Sequence, residues 1–116
     1  MNTFINNVLE WSHKNGILTN GNPNTQALKL MSEMGELADN LAKGNCIKDD
    51  IGDCLVVLIN IAALKGHTIE ECANVAWEDI KDRKGFLNAE GCFIKSTDSR
   101  YEQLILEFEK SNDTQD

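Results

Sequence analysis

From Ile51 to Leu64 the chain is apolar on nearly every side of a helix; only Asp53 and Asn60 carry hydrophilic side chains there. Such a helix cannot lie on a surface, so other elements must surround it, and that requirement dictates the fold. Its longest apolar run, CLVVLINIAAL, is too short to span a bilayer.

Helical punctuation recurs along the rest of the chain. Lysine closely followed by glycine appears at Lys14-Asn15-Gly16, Lys43-Gly44, Lys65-Gly66 and Lys84-Gly85. Glycine takes the left-handed conformation that ends a helix, and lysine in the last turn meets the negative end of the helix dipole. Read backwards from these stops, helices are predicted over about 3 to 15, 24 to 43, 47 to 65 and 69 to 84. Pro23 stands before Asn24 and Thr25 as possible caps, and Thr68 with Glu71 forms a capping box. FLNAEGCFIK predicts a small β-hairpin, and a second capping box, Ser99 with Glu102, opens a short last helix carrying Tyr101, Leu104, Ile105 and Phe108. The expectation is an all-α bundle of four main helices with a hairpin and a short C-terminal helix. It forms one domain over residues 1–110, with 111–116 as a flexible tail.

The net charge of −8 argues against nucleic acid or an anionic membrane as partner, because both are negative themselves. A phosphate ligand would need a cation between it and this protein. Cysteines 46, 54, 72 and 92 form no C-x-x-C pair, and Cys54 and Cys72 fall in helical patterns as small buried thiols. Reduced cysteines and the lack of a signal-like N-terminus predict a cytoplasmic protein.

Acidic groups interrupt the apolar rhythm in pairs three residues apart, Glu33 with Glu36 and Asp50 with Asp53. On the second predicted helix Leu30, Met34, Leu37 and Leu41 define an apolar stripe, widened by Ala27, Met31 and Ala38. Glu33 borders that stripe, and Glu36 lies about 60° further round. On the third, Asp53 and Asn60 are seven residues apart and share a face. A short loop round Gly44 packs the two helices antiparallel and brings the acidic pairs face to face. Burying an ionised carboxylate without a partner costs several kcal/mol, so these acids need a compensating charge. A hard divalent cation such as Mg²⁺ prefers oxygen ligands and bridges carboxylates to phosphate oxygens. A single E-x-x-E is usually solvent-facing or paired with lysines, but a second pair inside an apolar helix is harder to explain that way.

Other residues admit two readings. Lys81, Arg83 and Lys84 close the fourth predicted helix; they suit phosphate contacts, or they complement the helix dipole. Lys29, one turn before Glu33, is a weaker candidate of the same kind. Asn60 either reads a base or sugar edge or bonds a neighbouring helix. Trp11 and Trp77 either stack on a base or pack. Glu10-x-x-His13 is similar to half of a di-iron motif, but that site needs two copies.

With these motifs, the chain resembles the MazG family of all-α nucleoside triphosphate pyrophosphohydrolases. The words that carry the resemblance are Glu33-Met34-Gly35-Glu36, Asp50-Ile51-Gly52-Asp53, Gln26-Ala27-Leu28-Lys29-Leu30 and Ala76-Trp77-Glu78-Asp79-Ile80-Lys81-Asp82-Arg83-Lys84-Gly85, over about residues 24 to 94. Two positions depart from the family pattern: Asp50 stands where glutamate is usual, one methylene shorter, and Ser32 replaces a frequent glutamate. The resemblance implies Mg²⁺-dependent, or Mn²⁺-dependent, cleavage of a nucleoside triphosphate between the α and β phosphates, yielding monophosphate and pyrophosphate. It implies that Glu33, Glu36 and Asp53, and less directly Asp50, are the metal-binding and catalytic acids, and that the basic residues near 81–84 meet phosphates. It also implies a homodimer or homotetramer and a role in nucleotide-pool control. The alternatives are a phosphoribosyl-ATP pyrophosphatase-like enzyme and an inactive helical interaction protein that retains the fold.

Overall fold

The computed structural model describes residues 1–113. Its elements are α1 (Asn2–Lys14), α2 (Ile17–Asn20), α3 (Pro23–Lys43), α4 (Lys48–Leu64), α5 (Ile69–Ile80), β1 (Gly85–Leu87), β2 (Phe93–Lys95) and α6 (Tyr101–Asp113). This is the all-α architecture with one small hairpin that the punctuation predicted, plus an unforeseen single turn, α2. Ser111 to Asp113, expected to begin a tail, continue α6, and the last three residues of that expected tail lie outside the described ones. The chain divides into two compact units, Met1–Asn74 and Val75–Asp116, with the boundary inside α5.

Local chemistry sets the helix ends of the first unit. Asn22, not Asn24 or Thr25, caps α3: its side-chain oxygen accepts the N–H groups of Asn24 at 2.8 Å and Thr25 at 3.4 Å, and Pro23 occupies the first helical position. At the other end Gly44 has φ 71°, the Gly44 N–H donates to Leu41 O and the Asn45 N–H to Asn40 O. Gly66 ends α4 in the same way, with its own N–H on Ala63 O and that of His67 on Ala62 O. Thr68 Oγ1 accepts the Glu71 N–H at 3.1 Å, as its capping role requires.

Helix α4 is the centre of this unit. Ile5 and Val8 of α1 bury against Ile59, with Phe4, Leu9, Val56 and Ile69 packed round them. Each such fully buried aliphatic side chain contributes roughly 2 kcal/mol. One polar pair sits inside this packing. Ser12 Oγ donates to Asn60 Oδ1 at 2.6 Å, and both residues are buried. Helices α3 and α4 pack along each other in opposite senses, since Asn40 meets Asp50 while the earlier Glu33 and Glu36 meet the later Asp53.

The covered face of α3 is rotated from the expected apolar stripe. Pro23, Gln26, Leu30, Glu33, Leu37 and Asn40 are the half-buried set, whereas Met34 and Leu41 are 51% and 57% exposed and Met31 is 66% exposed. Asn40 is held on that face by its hydrogen bonds to Asp50 at the start of α4.

In the second unit β1 and β2 pair antiparallel, Phe86 opposite Ile94, and the Phe86 ring packs on Tyr101 and Phe108 of α6. Several expectations are corrected here. The fourth helix stops at Ile80 instead of residue 84, because Lys84 turns its carbonyl to the Ser96 N–H at 2.7 Å and thus belongs to the hairpin. Gly85 accordingly does not take a left-handed conformation; a Cβ there would collide with the Ile94 carbonyl and the Phe93 ring, so close approach of the strands requires glycine. The start of α6 is organised by Asp98, whose Oδ1 accepts the Arg100 N–H at 2.8 Å, in place of the expected Ser99. The four cysteines are free, with Cys54 half-buried and Cys72 exposed rather than buried. No single helix among the described residues is long and apolar enough to cross a membrane.

Candidate metal and nucleotide site

Glu33 and Glu36 lie one turn apart on α3, and Asp53 faces them from the second turn of α4. One carboxylate oxygen from each lies within 4.8 Å of the others, a grouping that could hold a metal ion. Glu33 and Asp53 are half-buried and Glu36 is exposed. Glu33 Oε1 receives the Lys29 ammonium at 3.4 Å, while Glu33 Oε2 is buried with no hydrogen-bond partner. An unpartnered buried carboxylate oxygen is costly, and the partner that cost calls for is a cation.

The charges confirm how crowded the group is. Glu36 is raised above the ordinary carboxylate range, first by the charge of Glu33, then by desolvation, by close side-chain approach to Glu33 and by the further charges of Asp50 and Asp53. Asp53 is raised too, first by desolvation and then by Asp49, Glu33 and Asp50, with Lys29 acting in the opposite direction. A single nearby ammonium thus leaves the repulsion uncompensated. Three carboxylate oxygens at this spacing fit Mg²⁺ or Mn²⁺, which favour oxygen donors; Mg²⁺ in particular retains several waters.

The fourth acid stands apart. Asp50 is only 6% exposed, and both of its oxygens accept from Asn40 Nδ2, at 3.2 and 3.0 Å; it is outside the group of three. Nothing in the isolated acidic spacing marks Asn40, although its position four residues after Glu36 puts it on the same face of α3.

Beside the carboxylates runs a groove of about 350 Å³, walled by Phe4, Asn7, Val8 and Trp11 of α1 and by Asp53 and Val56 of α4. Trp11 is 54% exposed, so one part of its surface is open to a ligand. Asn60 is 2% exposed and engaged with Ser12, and so ties α1 to α4 rather than lining the groove. Sequence reasoning missed Ser12, yet its spacing from Ile5 and Val8 along the buried face of α1 was the available signal. It also missed Phe4 and Asn7, because the groove exists only once α1 is laid on α4.

The remaining basic candidates belong to the second unit. Lys81, in the turn after α5, pairs with Glu78 at 2.7 Å, and Arg83 pairs with Asp79 at 2.6 Å. Lys84 shares with Arg83, Lys95, Ser96 and Thr97 a cavity of about 380 Å³. Trp77 is exposed.

Comparison with known proteins adds the following. Residues 22–85 match the family model of the MazG nucleotide pyrophosphohydrolase domain, a span that holds both acidic pairs. Over 61 residues, 51% of this chain, the sequence is 39% identical to an uncharacterized 18.2 kDa protein from the rep-hol intergenic region of Haemophilus phage HP1 (strain HP1c1). The match spans 37% of that protein's length. No solved structure matches.

Proposed function

This chain belongs to the MazG nucleotide pyrophosphohydrolase family, and we propose that it hydrolyses nucleoside triphosphates between the α and β phosphates with the help of Mg²⁺. The observation that carries the proposal is the orphaned Glu33 oxygen within a group of three carboxylates from two helices. A bound divalent ion would neutralise the phosphates, polarise the α-phosphoryl group and lower the pKa of a coordinated water. Glu33, Glu36 and Asp53 would hold it.

The protein's own residues account for the rest. Lys29 pairs with one oxygen of Glu33 and leaves the other without a hydrogen-bond partner. Asp53 belongs both to the carboxylate group and to the groove wall, so a nucleoside seated against Phe4 and Trp11 would have its phosphate-bearing end beside the acids. Stacking of a base on an aromatic ring is worth roughly 1–3 kcal/mol and tolerates any base, which suits an enzyme with broad pool-cleaning duties. Asn7 offers the groove a hydrogen-bonding edge. Asn60 contributes as an anchor, through Ser12, and holds the α1 wall at fixed distance from Asp53. A carboxylate of the group that is not fully engaged by the ion would accept the proton of the attacking water.

The partner of the chain is a second copy of itself, in a dimer or a pair of dimers. Met31, Met34 and Leu41 of α3 stand exposed, as do Ile51 and Leu58 of α4, and a second copy would cover them. The reaction itself is tested by measuring pyrophosphate and monophosphate release from a panel of canonical and modified nucleoside triphosphates and phosphoribosyl-ATP. Mg²⁺-dependent pyrophosphate release from a triphosphate supports the proposal. Turnover of phosphoribosyl-ATP alone would replace the substrate class, and absence of turnover across the panel would leave an inactive interaction protein.

A further inference from the structure

Asn40 stands at the junction of the two helices that build the acidic group, and its side chain is committed at both ends. Its Nδ2 donates to Asp50 Oδ1 at 3.2 Å and Oδ2 at 3.0 Å, while its Oδ1 accepts from Asn45 Nδ2 at 3.1 Å. The carboxylate oxygens of Asp50 fix the orientation of the amide, since the reversed amide would set oxygen against oxygen there, and the bond from Asn45 agrees with it. The backbone reinforces it, with the Asn45 N–H on the Asn40 carbonyl at 2.9 Å as part of the turn that ends α3. We infer that Asn40 is a positioning residue: by occupying both oxygens of Asp50 it holds this fourth acid beside the three-carboxylate group, out of its ligand set, and so sets how tightly the group binds a divalent cation. The inference rests on the cation reading proposed above.

The physical argument is one of linkage. Asp50 is nearly fully buried, and Asn40 supplies the side-chain donors it has. Asp50 lies one turn before Asp53 on α4, so its charge stands beside the three-carboxylate group. Removing the amide leaves a buried carboxylate without donors in the metal-free protein, and a cation at the neighbouring acids is then the nearest relief. The metal-free state is raised in free energy more than the metal-bound state. Cation binding must therefore tighten when Asn40 is lost, the opposite of what loss of a ligand does. The short side chain of Asp50, where the family usually has glutamate, makes a clamp of this kind feasible without stretching Asp50 toward the ion.

The test is calorimetric titration of the metal-free full chain with Mn²⁺ alone, in the wild type, Asn40→Ala, Asp50→Asn and the double variant. Asn40→Ala should lower the melting temperature of the metal-free protein yet tighten Mn²⁺ binding about tenfold, the scale of losing hydrogen bonds to a charged group. In the Asp50→Asn background the same change should alter Mn²⁺ affinity less than about twofold, because Asn40 acts through Asp50. Unchanged or weakened binding in Asn40→Ala, or an equal change in both backgrounds, overturns the inference. If Asn40→Ala does not fold, Asn45→Ala decides: this exposed residue only supports the amide, so its loss should tighten binding about two- to threefold, and no tightening overturns the proposal. Wild-type protein that fails to bind Mn²⁺ overturns both this inference and the cation reading, whereas binding by the wild type with no effect of Asn40→Ala overturns this inference alone.

Discussion

The two flanks of α3 make opposite demands on their surroundings. On one flank Glu33 and Glu36 face Asp53, with an oxygen left unpaired among like charges. On the other, Met31, Met34 and Leu41 stand exposed, and Ile51 and Leu58 of α4 are exposed as well. The acidic flank is incomplete for lack of positive charge, the apolar flank for lack of cover. A chain that keeps both unfinished faces on one helix pair is suited to completing each with a different partner, an ion with its nucleotide on one side and a second protein surface on the other.

The sharpest way to break this comparison is to neutralise the acidic flank. Glu36→Gln or Asp53→Asn should reduce turnover at least about a hundredfold, more than loss of a supporting contact would, with the helical circular dichroism unchanged. Full activity in either variant would remove the flank from the chemistry. The apolar flank is next. Met34→Lys should convert the associated form to a monomer in light scattering, while Mn²⁺ affinity measured on that monomer stays within about threefold of the wild type, because the three acids come from one chain. Trp11→Ala, in the groove beside the acids, should raise KM about tenfold, in keeping with a lost stacking contact, with a smaller change in kcat.

The smallest expected effect is on pH dependence. Glu36 and Asp53 are both raised above the ordinary carboxylate range, so the folded, metal-free protein binds protons there more readily than the unfolded chain. Stability from these groups is complete below the unfolded values and is lost as pH rises through the raised folded ones. Asp98 is lowered by the Arg100 N–H and contributes with the opposite sign, present at higher pH and lost as pH falls. Comparison of variants therefore isolates the effect. Between acid and neutral pH the melting temperature of metal-free wild type should fall relative to that of Glu36→Gln, and Mg²⁺ should remove the difference. A constant offset between the two across this range would mean that the acids do not repel as their geometry indicates.

The helix ends were the most legible part of the fold, because Gly44 and Gly66 act through bonds within a few residues of themselves. The end of α5 was not, since Lys84 leaves the helix to meet Ser96, and Gly85 serves strand approach, not helix termination. Both are contacts that no helical spacing encodes. The acidic pairs could be seen in the sequence because they interrupt apolar periodicity, and three of the four residues meet across α3 and α4. What spacing could not reveal was the rotation of α3 about its axis. That rotation placed Glu33 and Asn40 on the covered face, exposed Met34 and Leu41, and gave Asp50 a different neighbour from the other acids.

The most direct measurement is a crystal structure of the protein grown with Mn²⁺, read by anomalous scattering. An anomalous peak bounded by oxygens of Glu33, Glu36 and Asp53 is expected, with Asp50 still held by Asn40. No peak there, or Mn²⁺ bound elsewhere with Glu33 Oε2 still unpartnered, would contradict the cation reading.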